Sequence, residues 1–298
     1  MYASGVSYLL LLAASTTSAV NLLPRKESCP KVWSEVLPEL QTAFAGCGRD
    51  AHGAIRAPFH DCINNGCDGS LILTDECSRA ENAGLSDICG KLLSWTQKYN
   101  TSAADMIQFA AATAISACPL GPRVRALVGR KDSSEAAPVG SVPSSRDKTS
   151  SILEKFAAKG FSPDDLVALL GTHSVAVQVN DDPSQAGKSL DSTPSSFDLK
   201  FYSETLDGTA PYTLQSDKGL SKDGETQKKW KQFADGDTSA WNTAFTDAWN
   251  RFAVVGNDVG SLQDCSGVIP SGASERRLAR RLGGSAAARA FVRRLYDS

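Results

Sequence analysis

Histidine is scarce in this chain: three occur in 298 residues, beside two methionines and a formal net charge of only −2. No C-x₂-C pair faces a second one, which argues against a zinc module of thiolate and imidazole ligands. No G-x-S-x-G elbow is present, which leaves a hydrolase built on a His/Asp pair without its nucleophile. After the first twenty residues no apolar run approaches the ~20 residues that a membrane helix needs. A charge so close to neutral gives no reason to expect nucleic acid as a partner.

The residues present are those of a soluble globular protein. Hydrophobic content is 41%, and the length suits one big domain or two lobes. Residues 1–19 carry an apolar run at 8–14 and then small residues ending Thr17-Ser18-Ala19. This reads as a secretory signal cleaved near Ala19, although no Lys or Arg precedes the apolar run. Residues 20–28 then form a short pro-segment, with Arg25-Lys26 as a dibasic processing site. Eight cysteines, an even number in an exported chain, argue for disulfides.

The chain is organised around Arg56-Ala57-Pro58-Phe59-His60-Asp61-Cys62 and the Gly66-Cys67-Asp68-Gly69-Ser70 that follows. Arg56, Phe59 and His60 stand at i, i+3 and i+4, so a helix presents them on one face. His60 there can act as a general base, and Arg56 can stabilise the negative charge that develops. The same spacing also describes an amphipathic helix with a surface Arg and a core His. Asp61, Asp68 and Ser70 are hard oxygen ligands around a glycine-bearing loop, of the type Ca²⁺ takes. Cys62 and Cys67 are close enough to staple that loop. His52, one turn before Arg56, reads as structural or surface.

Helical spacing continues on both sides. Trp33, Val36, Leu37, Leu40 and Phe44 predict a helix before the central stretch, and Met106, Phe109, Ala110 and Thr113 a one-sided helix after it. Ser102 is placed to cap the latter, with Asp105 closing a capping box. Asn100-Thr101-Ser102 is the one N-glycosylation sequon found. Residues 133–151, rich in Ser, Pro and Gly, read as a crossover between lobes. Ser162, Pro163 and Asp165 then start a helix that carries Leu166, Leu169, Leu170 and His173 on its buried stripe. A lone buried histidine is more often a satisfied core group than a ligand, but two features shift the balance. Ser174, Asp191, Thr193 and Asp198 supply a second oxygen cluster, and Asp217 a carboxylate that can orient an imidazole from behind.

Arg56-x-x-Phe59-His60-Asp61, Gly66-x-Asp68-x-Ser70, Glu76 and Asn82-Ala83-Gly84-Leu85 together resemble the secreted haem peroxidases. So do Leu170-Gly171-Thr172-His173-Ser174, Phe197-Asp198 and Gln215-Ser216-Asp217. Asp191-Ser192-Thr193-Pro194 and residues 264–270 resemble the fungal class II branch, which includes manganese and lignin peroxidases. The Cys62 to Cys67 loop is similar to the plant class III branch. The resemblance implies a mostly α-helical, two-lobed fold with haem b between a distal lobe (29–145) and a proximal lobe (146–270). It implies H₂O₂ as oxidant and small phenols or aromatic amines as donors, oxidised in one-electron steps through a ferryl intermediate. His173 is then the iron ligand, with Asp217 accepting its other ring proton. His60 moves the peroxide proton, Arg56 stabilises the departing charge, and Asn82, with Glu76 behind it, keeps His60 a base. Phe59 shields the oxidised product. Two Ca²⁺ ions are implied. The distal one takes Asp61, Asp68 and Ser70 with backbone oxygens of Asn64 and Gly66. The proximal one takes Ser174, Asp191, Thr193 and Asp198 with the backbone oxygen of Ser196. The family pairs Cys47 with Cys118 and Cys29 with Cys265, the plant-type loop pairs Cys62 with Cys67, and Cys77 and Cys89 are left to each other.

The chain also departs from the family. The manganese enzymes carry two Glu where this chain has Arg49 and Gly53, and a third acid where it has Val179, so no Mn²⁺ site is expected. The surface Trp of the lignin-type enzymes falls at Ala168, and the five Trp residues fit helix packing instead. Small donors are therefore expected at a haem edge near Pro143, and the chain is expected to act as a monomer. Leu190 stands where fungal relatives commonly have Phe. A second reading of the same motifs is a Ca²⁺-stabilised secreted haem-binding protein without turnover. Residues 271–298 fit no family pattern. They hold seven of the 31 Lys and Arg residues against Glu275 and Asp297. They read either as a basic amphipathic helix that contacts a polyanion, or as a solvated tail foreign to the folded protein.

Overall fold

The computed structural model describes Met1, residues 29–64 and residues 66–270. The expected signal (Met1 apart), the pro-segment and the basic tail lie outside the described residues. Helix α1 spans Val32–Ala43, α2 Arg49–Cys62, α3 Ser70–Leu73, α4 Ser86–Tyr99 and α5 Ala103–Ala117. After strand β1 (Leu127–Val128) and a long irregular crossover come α6 (Thr149–Ala157), α7 (Pro163–Leu169) and a 3₁₀ turn over Leu170–Val175. Helices α8 (Lys200–Asp207), α9 (Gln215–Leu220), α10 (Gln227–Ala234) and α11 (Thr238–Phe252) follow, and strand β2 (Gln263–Asp264) closes the order. The fold is the mostly helical, two-lobed one expected.

The first lobe wraps α1, α2 and α4 around α5. The one-sided burial expected for α5 is not found: its residues from Ala103 to Ile115 are buried all round. Six alanines let neighbouring backbones approach from every direction, so no face is left for water. Ser102 Oγ caps α5 by accepting from Asp105 N at 3.1 Å. The expected capping box does not close, because the Asp105 carboxylate turns away to the Gly129 and Arg130 amides and the Arg130 guanidinium. A buried cation recruits that carboxylate more strongly than a helix end does.

In the second lobe α7 packs on α11, and α8 on α10. Tyr202, Trp230, Phe233, Trp241 and Phe245 form its aromatic core, all fully buried. All five Trp residues are buried packing groups. A line of rings crosses between the lobes: Phe59 stacks on Phe156 at 6.1 Å, and Phe156 on Phe252 at 6.3 Å. Residues beyond α11 return to the first lobe. Cys67 N donates to Val255 O, and β2 pairs antiparallel with β1. Cys29 bonds to Cys265, Cys47 to Cys118, Cys62 to Cys67 and Cys77 to Cys89.

Candidate active site

Helix α2 brings Arg56, Phe59 and His60 to one face, as their spacing dictates. His60 is buried, and its Nδ1 lies 2.6 Å from Asn82 Oδ1. The amide of Asn82 cannot be turned round, because its Nδ2 donates to the Glu76 carbonyl at 2.7 Å. An amide oxygen only accepts, so His60 Nδ1 carries the proton and Nε2 is left as the base. Burial and the nearby Arg56 charge hold the His60 pKa well below the ordinary imidazole value. Arg56 is open to solvent by its surface yet surrounded by protein, so burial lowers its pKa to about 10. Such a side chain reaches into a crevice. Its Nη1 donates to Ala83 O at 3.0 Å. The Glu76 carboxylate accepts from Ala137 N at 2.9 Å, which ties this cluster to the crossover.

On the other side, His173 Nδ1 lies 3.1 Å from Asp217 Oδ2, and Asp217 is buried. His173 does not ride the α7 helix as expected. The helix ends at Leu169 and tightens into the 3₁₀ turn that carries His173. Gly171 explains the tightening: a Cβ there would stand 2.5 Å from Trp241 Nε1, so the backbone rests directly on the indole. Phe201 meets the imidazole edge-on at 5.3 Å. His173 Nε2 carries no protein hydrogen bond among the described residues. The turn and α2 lie against each other, so the two imidazoles belong to one region between the lobes. A free Nε2 on each side, an orienting partner behind each ring and a guanidinium in a crevice form a donor set that fits a haem group.

The two oxygen clusters are built from short turns. Asp61, at 1% exposure, accepts from the Gly69 and Leu71 amides, and Asp68 accepts from Ser70 N. Gly69, at φ 77°, presses so close to Ala104 N that a Cβ would come within 2.6 Å. Burial, with Asp68 and Glu76 near, pushes the Asp61 pKa up to about 8. On the far side Asp191 Oδ1 accepts from Thr193 N and Thr193 Oγ1 donates to Asp198, both at 2.8 Å. Asp191 is pushed up to about 7, chiefly by burial and also by Asp198 and Glu204. Asn64 Oδ1 and Asp191 Oδ2 are buried without a partner. Ser196 O accepts from Asp198 N at 3.0 Å, and Ser174 is buried beside His173. Carboxylates raised by burial and by neighbouring acids are what a bound cation relieves, so both clusters are candidate Ca²⁺ sites, with Lys159 donating to the Asn64 carbonyl of the distal set.

Several contacts had no signal in the chain. Ala83 and Glu76 act through backbone oxygens, which any residue supplies. Lys159 donates to the Asn64 carbonyl from 95 residues away. Asn180 comes to Gly84 beside Arg56, across the two lobes. The ring nitrogens of His52 are sealed from solvent, and burial lowers its pKa against the carbonyls of Pro194 and Cys47. Arg49 pairs with Asp87 at 3.1 Å, Gly53 lies under Ile88, and Val179 is 37% exposed. Asn100 is exposed in a left-handed turn that ends α4.

The family model described as Peroxidase matches residues 36–236. Manganese peroxidase 2 of Phlebia radiata is 33% identical over 299 residues, covering 87% of this chain and 76% of the relative. Versatile peroxidase VPS1 of Pleurotus eryngii is 33% identical over 290 residues, covering 85% and 78%. Low-redox potential peroxidase of Taiwanofungus camphoratus is 35% identical over 287 residues, covering 89% and 86%. Likeness of this extent, over a fold that holds two oriented histidines between its lobes, shows that the chain belongs to the peroxidase family and is a haem peroxidase, an oxidoreductase that acts on hydrogen peroxide.

Proposed function

We propose that the protein is a secreted, generic class II peroxidase that oxidises small phenols and aromatic amines one electron at a time. The observation that carries this reading is the pair of oriented imidazoles, His60 with Asn82 and His173 with Asp217. His173 Nε2 would hold the iron of haem b, between a distal lobe of 29–145 and a proximal lobe of 146–270. When bound, the haem supplies the iron at which peroxide is cleaved and from which two oxidising equivalents pass singly to donors. His60 Nε2 takes the peroxide proton and delivers it to the leaving oxygen. Arg56 stabilises the charge on that oxygen, and Asn82, fixed by Glu76, keeps the His60 tautomer. Asp217 increases the anionic character of His173. Phe59 excludes water from the reacting side. Asp61, Asn64, Gly66, Asp68 and Ser70 hold one Ca²⁺. Ser174, Asp191, Thr193, Ser196 and Asp198 hold the other. Each ion then pins a chain segment next to a working histidine.

Arg49, Gly53 and Val179 offer no acid for Mn²⁺, which sets this chain apart from the manganese and versatile peroxidases that it resembles as much as it does a low-redox potential peroxidase. Donors meet the haem edge near Pro143. Export follows from the signal at 1–19, with a glycan at Asn100, a monomeric state and, through the tail, weak polyanion contact. The test is purified holoenzyme with a Soret band, assayed with H₂O₂ and a phenol, Mn²⁺ or a bulky non-phenolic donor. Turnover of the phenol alone is expected. Mn²⁺ oxidation at a comparable rate overturns the assignment.

A further inference from the structure

Lys159 Nζ donates to the Asn64 carbonyl, one of the oxygens assigned to the distal Ca²⁺. The lysine is half-buried and, among the described residues, forms an ion pair with no carboxylate. An ammonium that rests on a backbone oxygen, with no acid bonded to it, marks that oxygen as a seat for positive charge. Asn64 Oδ1 lies in the same residue, buried and without a partner.

The contact crosses between the lobes and is fixed at both ends. Lys159 lies in the tight turn that ends α6, where its amide donates to Phe156 O at 3.0 Å and Phe161 N donates to the same oxygen at 3.1 Å. Phe156 stacks on Phe59, the neighbour of His60, so the turn is held against α2. Asn64 follows the end of α2, and its Nδ2 donates to His60 O at 3.1 Å. Positive charge is favoured there, because the last carbonyls of a helix lack amide partners. One chain of bonds thus runs from the second lobe through Asn64 to the backbone of His60. The proximal cluster has no counterpart. Among the described residues no Lys or Arg side chain donates to Ser174, Asp191, Thr193, Ser196 or Asp198, although the Lys200 charge is near enough to act on Asp191.

We propose that Lys159 is a tethered cation that competes with Ca²⁺ for the distal set and holds the end of α2, and with it His60, whenever the ion is lost. This rests on the peroxidase reading, which supplies the distal Ca²⁺. A carbonyl shared by the two would keep an ammonium and a Ca²⁺ ion within about 6 Å of each other, where they repel. The ion therefore enters the set by displacing Lys159 from Asn64, and the ammonium returns as the ion leaves. Lys159 is a positioning residue in this scheme, acting on His60 through Asn64.

The experiment measures Ca²⁺ affinity of the haem-loaded enzyme by chelator competition and metal analysis, and the rate of reaction with H₂O₂ before and after chelation. Lys159→Met is expected to bind the distal ion about tenfold more tightly than the wild type, because no charge has to be displaced. After chelation the same variant should lose about tenfold more of its H₂O₂ rate than the wild type does, because nothing then holds the end of α2. Lys159→Gln, a second neutral variant, should agree, and Lys159→Arg should match the wild type. Asp68→Asn marks the distal site: in that background Lys159→Met should leave the remaining Ca²⁺ affinity unchanged. A lysine that only supports the loop gives the opposite sign, so unchanged or weaker Ca²⁺ binding by loaded Lys159→Met and Lys159→Gln overturns the proposal. Failure of the wild type to give a Soret band overturns the peroxidase reading instead.

Discussion

Asn82 Oδ1 accepts the Nδ1 proton of His60 across 2.6 Å, from 22 residues away in the chain. That bond decides which ring nitrogen is the base. Because burial and Arg56 hold the pKa well below the ordinary value, the ring stays neutral through neutral pH.

His60→Ala is therefore expected to slow the reaction with H₂O₂ by about 10²–10⁴-fold, the usual worth of a positioned base. Asn82→Ala should cost about 10–100-fold, as loss of an orienting partner does. Protonation destroys the base, so the wild-type rate stays flat at neutral pH and falls only in acid, below the ordinary imidazole pKa of ~6.5. Asn82 raises the His60 pKa, so its removal moves that acid limb to lower pH. Stopped-flow rates against pH read both effects, and an acid limb that moves upward contradicts the assignment.

Removal of Ca²⁺ should destabilise the protein more as the pH rises. In the metal-free fold Asp61 and Asp191 hold their protons up to about 8 and about 7. The unfolded chain gives them up near ~3.9. The folded state thus binds more protons, and its metal-free stability, full below about pH 4, drains away as pH rises through that window. Ca²⁺ requires the ionised carboxylates, so its contribution grows over the same range. Melting with chelator and with Ca²⁺ should show a gap in Tm that widens from about pH 5 to about pH 8. A constant gap contradicts this.

Asp217→Asn replaces a carboxyl acceptor at His173 Nδ1 by an amide. The imidazole loses anionic character, and the Fe(III)/Fe(II) potential should rise. Spectroelectrochemistry of the haem-loaded variant reads this directly. An unchanged or lower potential refutes the role of Asp217.

Gly171→Ala places a methyl 2.5 Å from the Trp241 indole nitrogen. Overpacking of this kind costs about 1–3 kcal/mol, measurable by denaturant unfolding. Because Gly171 shares the tight turn with His173, haem retention should fall as well. A variant that keeps both stability and haem shows that the turn is not set by this contact.

Spacing along the chain determined the helix faces and turns of this protein. Arg56, Phe59 and His60 share a face because 3.6 residues make a turn, and the Ser162–Asp165 capping box closes within one turn. Those relationships are local, so no other part of the chain is needed to produce them. Only the tertiary structure decided the tautomer of His60, the 3₁₀ turn under His173, the recruitment of Asp105 by Arg130 and the meeting of Lys159 with Asn64. Each depends on a partner brought from a distant segment, often a backbone oxygen or an indole face. Residue type and spacing carry no record of such partners, because their positions follow from how the helices pack.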